Sequence, residues 1–145
     1  MDDGDEIMNR RLLLPLFFSL MLLLVACSES APVVVDPDAP LDLPVSINVQ
    51  TVAEIKDRDD VVVLDVREQH EYDAGHIPGV VLLPMSELQG RVDEIPTDQT
   101  VVLTCRSGNR SNQVTKFLQD AGFDNVHNMQ GGIVAWQKAG LAVEQ

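Results

Sequence analysis

Basic residues are scarce in this chain of 145 residues. It contains 10 lysines and arginines against 23 aspartates and glutamates, which gives a formal net charge of −13 at pH 7. A protein that binds nucleic acid needs clustered lysine and arginine side chains to displace the counterions of the phosphate backbone. Electrostatic docking on an anionic lipid surface requires similar clusters. The composition therefore argues against nucleic acid and against an anionic lipid surface as partners.

The sequence also lacks an apolar run that is long enough to span a bilayer comfortably. Residues 12–26 contain no charged side chain, but fifteen residues fall short of the roughly 20 that a transmembrane helix needs. Arg10 and Arg11 precede this run, and a basic segment before a short apolar core is typical of a signal peptide. We expect a signal peptide over residues 1–27, with an uncleaved membrane anchor as the alternative.

The end of the apolar run resembles the lipobox of bacterial lipoproteins. Leu24, Val25 and Ala26 precede Cys27, and in lipoproteins this cysteine is lipidated and becomes the mature N-terminus. The resemblance implies an exported protein that acyl chains at Cys27 anchor in the cell envelope. Ser28 at the next position resembles the sorting pattern for the periplasmic face of the outer membrane, if the cell is Gram-negative. A secretory signal that is cleaved elsewhere is the alternative.

Cysteines are few as well, since the chain has only Cys27 and Cys105. If Cys27 carries lipid, Cys105 is the only free thiol. An intramolecular disulfide is then impossible, even in an oxidising compartment. An oxidised Cys105 would also lack a second thiol in this chain to resolve it. Any turnover at Cys105 must therefore end on an external acceptor.

A regular pattern of secondary structure begins after a proline-rich segment. Residues 28–45 contain four prolines among small and acidic residues, which is typical of an extended linker. In residues 46–145, β-rich runs alternate with helical signals, which predicts an α/β domain with a parallel sheet covered on both faces. The runs are too continuous in apolar residues for half-exposed strands. The predicted strands are residues 47–49, 61–64, 80–83, 100–104 and 126–128.

Helix positions are predicted from capping signals and apolar spacing. Thr51 and Ser86 each begin a sequence that matches a capping box. One apolar helix face ends at Gly122, a residue type that commonly terminates helices. This face consists of Val114, Phe117, Leu118 and Ala121. The last helix is predicted over residues 133–139, ended by Gly140.

Cys105 stands where the predicted fourth strand ends and a loop begins. The loop reads CRSGNR over residues 105–110, and an amphipathic helix follows it. Its backbone N–H groups can form an anion-binding nest, and the helix dipole, Arg106 and Arg110 add positive potential. These features favour the thiolate, which is the nucleophilic form of cysteine. The sequence therefore predicts a reactive cysteine that also holds an anion, at the strand end where parallel sheets form their sites.

Four segments resemble, in the correct order, the single-domain rhodaneses, which are sulfurtransferases. They are LDVRE (64–68), GHIPG (75–79), CRSGNRS (105–111) and MQGGI (129–133). The resemblance implies a rhodanese-like three-layer α/β/α fold with a five-stranded, mainly parallel sheet. It also implies that Cys105 takes a sulfane sulfur from a small anionic donor such as thiosulfate, holds it as a persulfide, and passes it to a thiol or to cyanide. No metal and no cofactor is expected.

The resemblance also suggests roles for residues around Cys105. Arg106 is expected to bind the anionic part of the donor, because a guanidinium binds sulfonate oxygens through two hydrogen bonds. Arg110 either faces the anion or pairs with an acid. Asp65 and Arg67 are expected to form a supporting ion pair, and His76 to fix a turn. The substrate site is expected to include the backbone of four further loop residues: Ser107, Gly108, Asn109 and Ser111.

Other functions are weighed against this hypothesis. A cysteine phosphatase or arsenate reductase is disfavoured, because Arg110 follows Cys105 after only four residues and a second thiol is lacking. A non-catalytic rhodanese-type binding module is the alternative from another class. A dedicated persulfide carrier needs the same persulfide on Cys105 as an enzyme and differs only in the acceptor. We expect a monomer in each case.

Overall fold

Strands and helices alternate along the chain in the computed structural model, which describes residues 41–145. Within these residues, five strands form one sheet: β1 (Ser46–Ile47), β2 (Val61–Asp65), β3 (Val81–Leu82), β4 (Thr100–Thr104) and β5 (Val126–Met129). Five α-helices accompany them: α1 (Val49–Ile55), α2 (Gln69–Asp73), α3 (Leu88–Arg91), α4 (Asn109–Asp120) and α5 (Gly132–Lys138). A short 3-10 helix, Val92–Glu94, follows α3.

The sheet has the strand order β1-β5-β4-β2-β3, and every neighbouring pair is parallel. The predicted α/β class is confirmed, and the sheet is parallel throughout rather than mainly so. β4 lies at the centre, where Val101, Val102 and Leu103 have no exposed surface. Asp65 at the end of β2 pairs in register with Thr104 at the end of β4. The residues that follow these two strands therefore start from the same edge of the sheet.

Helices cover both faces of the sheet and bury a separate apolar cluster on each. On one face, Val63 and Val102 pack in a cluster with Val52 of α1 and with Ile133 and Trp136 of α5. On the other face lies a second cluster, built from Leu64, Val101 and Leu103 of the strands and Val114 and Leu118 of α4. Successive strand residues alternate between the clusters, because side chains in a strand point to opposite faces. The result is the expected three-layer α/β/α arrangement.

Both predicted capping boxes are wrong. Asn48 caps α1, since its Oδ1 accepts a hydrogen bond from the Thr51 amide at 2.9 Å. This cap starts the helix at Val49 and shortens the first predicted strand. Ser86 does not cap α3, since its hydroxyl donates to Glu68 Oε2 at 2.8 Å. An asparagine at the N-cap satisfies a free helix amide directly, and it therefore overrides a capping box three residues later.

The buried face of α4 differs from the prediction in part. Val114 and Leu118 are buried, but Phe117 is 42% exposed, and Ala121 is an exposed residue at the C-cap of the helix. Ser111 and Thr115 complete the buried face, and the Thr115 hydroxyl donates to the Ser111 carbonyl at 2.8 Å. The predicted helical spacing is therefore right, but the buried face includes two polar residues in addition to the apolar ones. Gly122 has a φ of +97°, so the predicted helix end there is confirmed.

The folded region extends upstream of Ser46. Leu41 and Leu43 pack against the cluster beneath α1 and α5, and the Val45 carbonyl accepts a hydrogen bond from the Asn128 amide at 2.7 Å. The predicted signal peptide, Cys27 and most of the predicted linker lie outside the described residues. Within residues 41–145, no helix combines the length and apolar character needed to cross a bilayer.

Candidate active site

A tight loop connects β4 to α4 and carries Cys105 as its first residue. Gly108 precedes the helix in a left-handed conformation, with a φ of +87°. A Cβ atom there would lie 2.8 Å from the Gly131 nitrogen and 3.2 Å from the Met129 carbonyl oxygen. Only glycine adopts this conformation without strain and also allows so close an approach. The loop therefore packs directly against the turn between β5 and α5.

The start of α5 holds the loop carbonyl groups. The Ile133 amide donates to the Cys105 carbonyl at 2.9 Å, and the Val134 amide donates to the Arg106 carbonyl at 3.1 Å. A Cβ atom at Gly132 would overlap both loop residues. Amides at the N-terminus of a helix have no partner within the helix, so these bonds satisfy both elements. They fix two loop carbonyls against the start of α5.

Hydrogen-bond donors converge on the sulfur of Cys105, which is 1% exposed. The Gly108 amide donates to Sγ at 3.1 Å, and the Ser111 hydroxyl lies 3.4 Å from Sγ. Burial raises the pKa of the thiol, but hydrogen bonds from Ser111 (hydroxyl and amide), Ser107 and Gly108 together hold the pKa below its ordinary value. A lowered pKa increases the thiolate fraction near neutral pH, and the thiolate is the reactive form.

Ser111 acts through its side chain and not only through its backbone. Its hydroxyl also donates to Asn128 Oδ1 at 2.7 Å, and both residues are buried. The sequence reasoning missed Asn128 altogether. The signal that could have identified it is its position as a polar residue at the end of a strand buried on both faces, since buried polar groups need partners.

The two arginines of the loop differ in their surroundings. Arg106 is exposed, and its side chain makes no hydrogen bond or ion pair with the residues that the structure describes. Arg110 forms a bidentate ion pair with Glu71, at 2.6 and 2.7 Å. The hydrogen bond from Arg110 is the main cause that lowers the pKa of Glu71 to about 2. Of the two alternatives for Arg110, the structure shows the pairing with an acid.

Asp65 and Arg67 form a buried ion pair beside the loop. Arg67 donates through Nε and Nη2 to the Asp65 carboxylate, with the shortest contact at 2.7 Å. The guanidinium also donates to the carbonyls of Glu71 and Gly75. This pair connects the end of β2 to α2 and to the turn after it. Since Glu71 binds Arg110, the same network reaches the start of α4.

His76 lies away from the cysteine and fixes the turn after α2. Its ring stacks on Tyr72 with centroids 3.7 Å apart, and Nδ1 lies 3.1 Å from the Tyr72 carbonyl. Its Nε2 lies 3.4 Å from a carboxylate oxygen of Glu144. In the described part of the chain, no histidine or carboxylate forms a hydrogen bond with Sγ of Cys105. The loop amides and Ser111 are therefore the groups that stabilise the thiolate.

An open polar pocket of about 260 Å³ adjoins the loop. None of the residues around it is charged, and most carry amide or hydroxyl groups. They are Ser46, Ser107, Gly108, Asn109, Asn112, Asn128, Gln130 and Gly131.

The fold and the site define an α/β protein with a hydrogen-bonded cysteine in the loop that follows the central strand of a parallel sheet. Residues 48–139 match the family model of the rhodanese-like domain. The chain therefore belongs to the rhodanese-like domain family, as the four sequence segments indicated.

Proteins of known family support the same assignment. A sulfurtransferase of Allochromatium vinosum is 42% identical over 89 residues, which cover 61% of this chain and 83% of that protein. Thiosulfate sulfurtransferase GlpE of Pseudoalteromonas translucida is 34% identical over 93 residues, covering 64% of this chain and 89% of that protein. The crystal structure of a rhodanese-related protein from Thermoplasma volcanium matches with a TM-score of 0.62 and 33% identity, over 68% of this chain and 96% of that one. Together these similarities support a role in sulfur transfer.

Proposed function

We propose that this protein is a sulfurtransferase that carries a sulfane sulfur on Cys105. The observation that supports the proposal most strongly is the set of donors around Sγ: the Gly108 amide at 3.1 Å and the Ser111 hydroxyl at 3.4 Å. Hydrogen-bond donors held close to a buried sulfur stabilise negative charge on it. The same donors can stabilise Cys105 as a thiolate and as a persulfide anion, the two states between which the residue alternates during sulfur transfer.

The transfer proceeds in two displacements. The Cys105 thiolate attacks the outer sulfur of thiosulfate, a bond forms between the two sulfurs, and sulfite leaves with the electron pair of the broken bond. The outer sulfur of the resulting persulfide extends about 2 Å beyond Sγ. A thiolate or cyanide then attacks this outer sulfur and takes it, and the electron pair returns to Cys105 as thiolate. Thiosulfate is our choice of donor because one relative is named a thiosulfate sulfurtransferase.

Arg106 is the residue we assign to binding of the anionic donor. It is exposed beside the cysteine, whereas the charge of Arg110 is neutralised by Glu71. Ser107 and Gly108, whose amides donate to the Cys105 sulfur, and Asn109 line the pocket beside the loop. This arrangement also speaks against a phosphatase, because the arginine that ends the loop is already bound to a carboxylate.

The persulfide is tested by intact mass, measured on the chain before and after addition of thiosulfate. We expect a gain of one sulfur atom, about 32 Da, which cyanide or a reductant reverses. The control variant Cys105→Ser should show no gain, whereas Cys27→Ser should show the same gain as the unsubstituted chain. No gain with thiosulfate or with a low-molecular-weight persulfide would contradict sulfur transfer and favour a binding module.

Steady-state turnover separates an enzyme from a dedicated carrier. An enzyme releases many equivalents of thiocyanate or of persulfide product when thiosulfate and a small acceptor are both in excess. A carrier loads once and discharges only to its protein partner. We favour the enzyme, because a sulfur atom in a residue that is 1% exposed is accessible to a small nucleophile more readily than to a protein surface.

We also propose that the chain is exported and anchored in the cell envelope through lipid on Cys27, at the periplasmic face of the outer membrane in a Gram-negative cell. The support is the basic pair before an uncharged run and the lipobox-like residues that precede Cys27. The domain is proposed to act as a monomer on small molecules, with no nucleic acid as partner.

A further inference from the structure

The hydroxyl of Ser111 has one hydrogen and two acceptors within reach. Asn128 Oδ1 lies at 2.7 Å and Cys105 Sγ at 3.4 Å. A serine hydroxyl donates one hydrogen bond at a time, although its oxygen can accept others. The shorter contact places the hydrogen toward Asn128. In this state the Ser111 oxygen faces the sulfur as an acceptor, which suits a protonated thiol.

Ionisation of Cys105 reverses what the sulfur needs. A thiolate has no hydrogen to offer and is stabilised by donors, so the Ser111 hydroxyl must turn toward Sγ. Asn128 Oδ1 would then face the serine oxygen at 2.7 Å with no hydrogen between the two acceptors. Rotation of the carboxamide by 180° removes this conflict, because Nδ2 takes the place of Oδ1 and donates to the serine oxygen.

The surroundings of Asn128 permit this rotation. The residue is 4% exposed and lines the polar pocket beside the loop. Nδ2 makes no hydrogen bond within residues 41–145, yet it is not sealed from solvent. Whichever end of the carboxamide points to the pocket can therefore bind water. The two ends have nearly the same size, so the packing is the same in both orientations.

We propose that Asn128 is a positioning residue for Cys105, whose carboxamide turns over as the cysteine ionises and thereby directs the Ser111 hydroxyl to the thiolate. The inference rests on the proposed function only in that the thiolate is the reacting species. Asn128 does not touch the substrate and acts through Ser111 alone. The relay from Asn128 through Ser111 to Sγ links a residue of β5 to the cysteine that follows β4.

The charged side chains near the loop are not part of the relay from Asn128 through Ser111 to Sγ. Arg110 is bound to Glu71, and Asp65 is bound to Arg67. Arg106 is exposed on the loop. None of these side chains forms a hydrogen bond with Ser111 or Asn128 in the described part of the chain. Substitutions in the relay therefore leave the charges around the sulfur in place.

The test is the pH dependence of alkylation of Cys105 by iodoacetamide, measured on the full chain with Cys27→Ser so that one thiol remains. It needs no sulfur donor, so it fails or succeeds independently of sulfur transfer. Asn128→Asp is the key variant, because a carboxylate only accepts and keeps the Ser111 hydrogen away from the sulfur. Asn112→Asp is the matched control, since it adds the same charge at another residue of the same pocket.

We expect Asn128→Asp to move the alkylation profile to higher pH and to slow the reaction about tenfold below its midpoint, since a hydrogen bond to a charged group changes an ionisation equilibrium by about that factor. Ser111→Ala should slow it similarly. In the Ser111→Ala background, Asn128→Asp should add only the small effect that Asn112→Asp shows. The proposal would be overturned if Asn128→Asp shifted the alkylation profile equally with and without the Ser111 hydroxyl. It would also be overturned if Asn128→Asp and Asn112→Asp shifted the profile equally.

A second variant keeps the test decisive if Asn128→Asp does not fold. Asn128→Leu removes the competing acceptor and leaves the Ser111 hydrogen free to point at Sγ. The profile should then move to lower pH, the direction opposite to that of the aspartate. A residue with a merely structural role would lower the melting temperature and leave the profile unchanged.

Discussion

At the scale of single residues, the site separates binding of the donor from activation of the cysteine. Sγ of Cys105 lies within hydrogen-bonding distance of loop amides and of the Ser111 hydroxyl, which need no net charge to act. Arg106 stands outside this set, exposed and without an acid partner among the described residues. Loss of Arg106 should therefore affect how tightly an anion binds far more than how fast sulfur moves.

Replacement of Arg106 by alanine is expected to raise KM for thiosulfate roughly tenfold and to change kcat little, because a charge-assisted contact to the bound donor is lost. Steady-state kinetics with thiosulfate and cyanide measure both constants. Lys116→Ala removes an equal charge from an exposed position on α4 and should leave KM unchanged. A fall in kcat at constant KM would place Arg106 in the chemical step.

At the scale of elements, the ion pair between Glu71 and Arg110 connects α2 to α4. Its two members are 39 positions apart in sequence, and both side chains are more than half buried. The Arg110 hydrogen bond lowers the pKa of Glu71 from 4.5 to about 2. A carboxyl whose pKa is lower in the folded than in the unfolded chain stabilises the fold above its unfolded pKa, and this contribution is lost as the pH falls. The window runs from about 4.5 down to about 2.

Glu71→Gln is expected to lower the free energy of unfolding at pH 7 by about 1 to 2 kcal/mol, a value reduced for partial solvent screening. Its difference from the unsubstituted chain should shrink as the pH falls toward 3. Urea unfolding at pH 7, 4.5 and 3 measures this. Glu87→Gln is the control, because it breaks an exposed pair with Arg91 and should change little at any pH. A constant difference across pH would show that the charge of Glu71 is not what stabilises the fold.

At the scale of the whole molecule, charge and membrane attachment are separate. The chain carries a net charge of −13, which repels an anionic lipid surface. The attachment to a membrane that we propose therefore relies on lipid at Cys27 and not on the charge of the domain. The same excess of acidic residues speaks against nucleic acid as a partner.

We therefore expect the chain, expressed in a bacterium, to remain in the membrane fraction through a wash with concentrated salt. Cys27→Ser should lose the covalent lipid and show no incorporation of labelled fatty acid. The measurement is fatty-acid labelling together with fractionation before and after the wash. Release of the unsubstituted chain by salt, or labelling that survives Cys27→Ser, would contradict lipid anchoring at this residue.

The local residue pattern was enough to predict the fold class and most of the strands. Alternating β-rich and helical segments predicted the parallel sheet, and the strand over 100–104 has the predicted bounds. The boundaries that were wrong depend on side-chain competition: Asn48 captures the Thr51 amide and starts α1 earlier than the capping box suggested. Such competition is decided by the geometry of the entering chain, which a residue pattern alone does not contain.

The sequence by itself determined that Cys105 follows a buried strand, enters a loop with Gly108, and lies before an amphipathic helix. Those facts are local, because a strand end, a left-handed glycine and a helix start follow from neighbouring residues. Only the tertiary structure decided that Arg110 binds Glu71 and that Asn128 bonds to Ser111. Both contacts join elements far apart in sequence, and they form because packing of the sheet and α4 brings polar side chains into a region where each must find a partner.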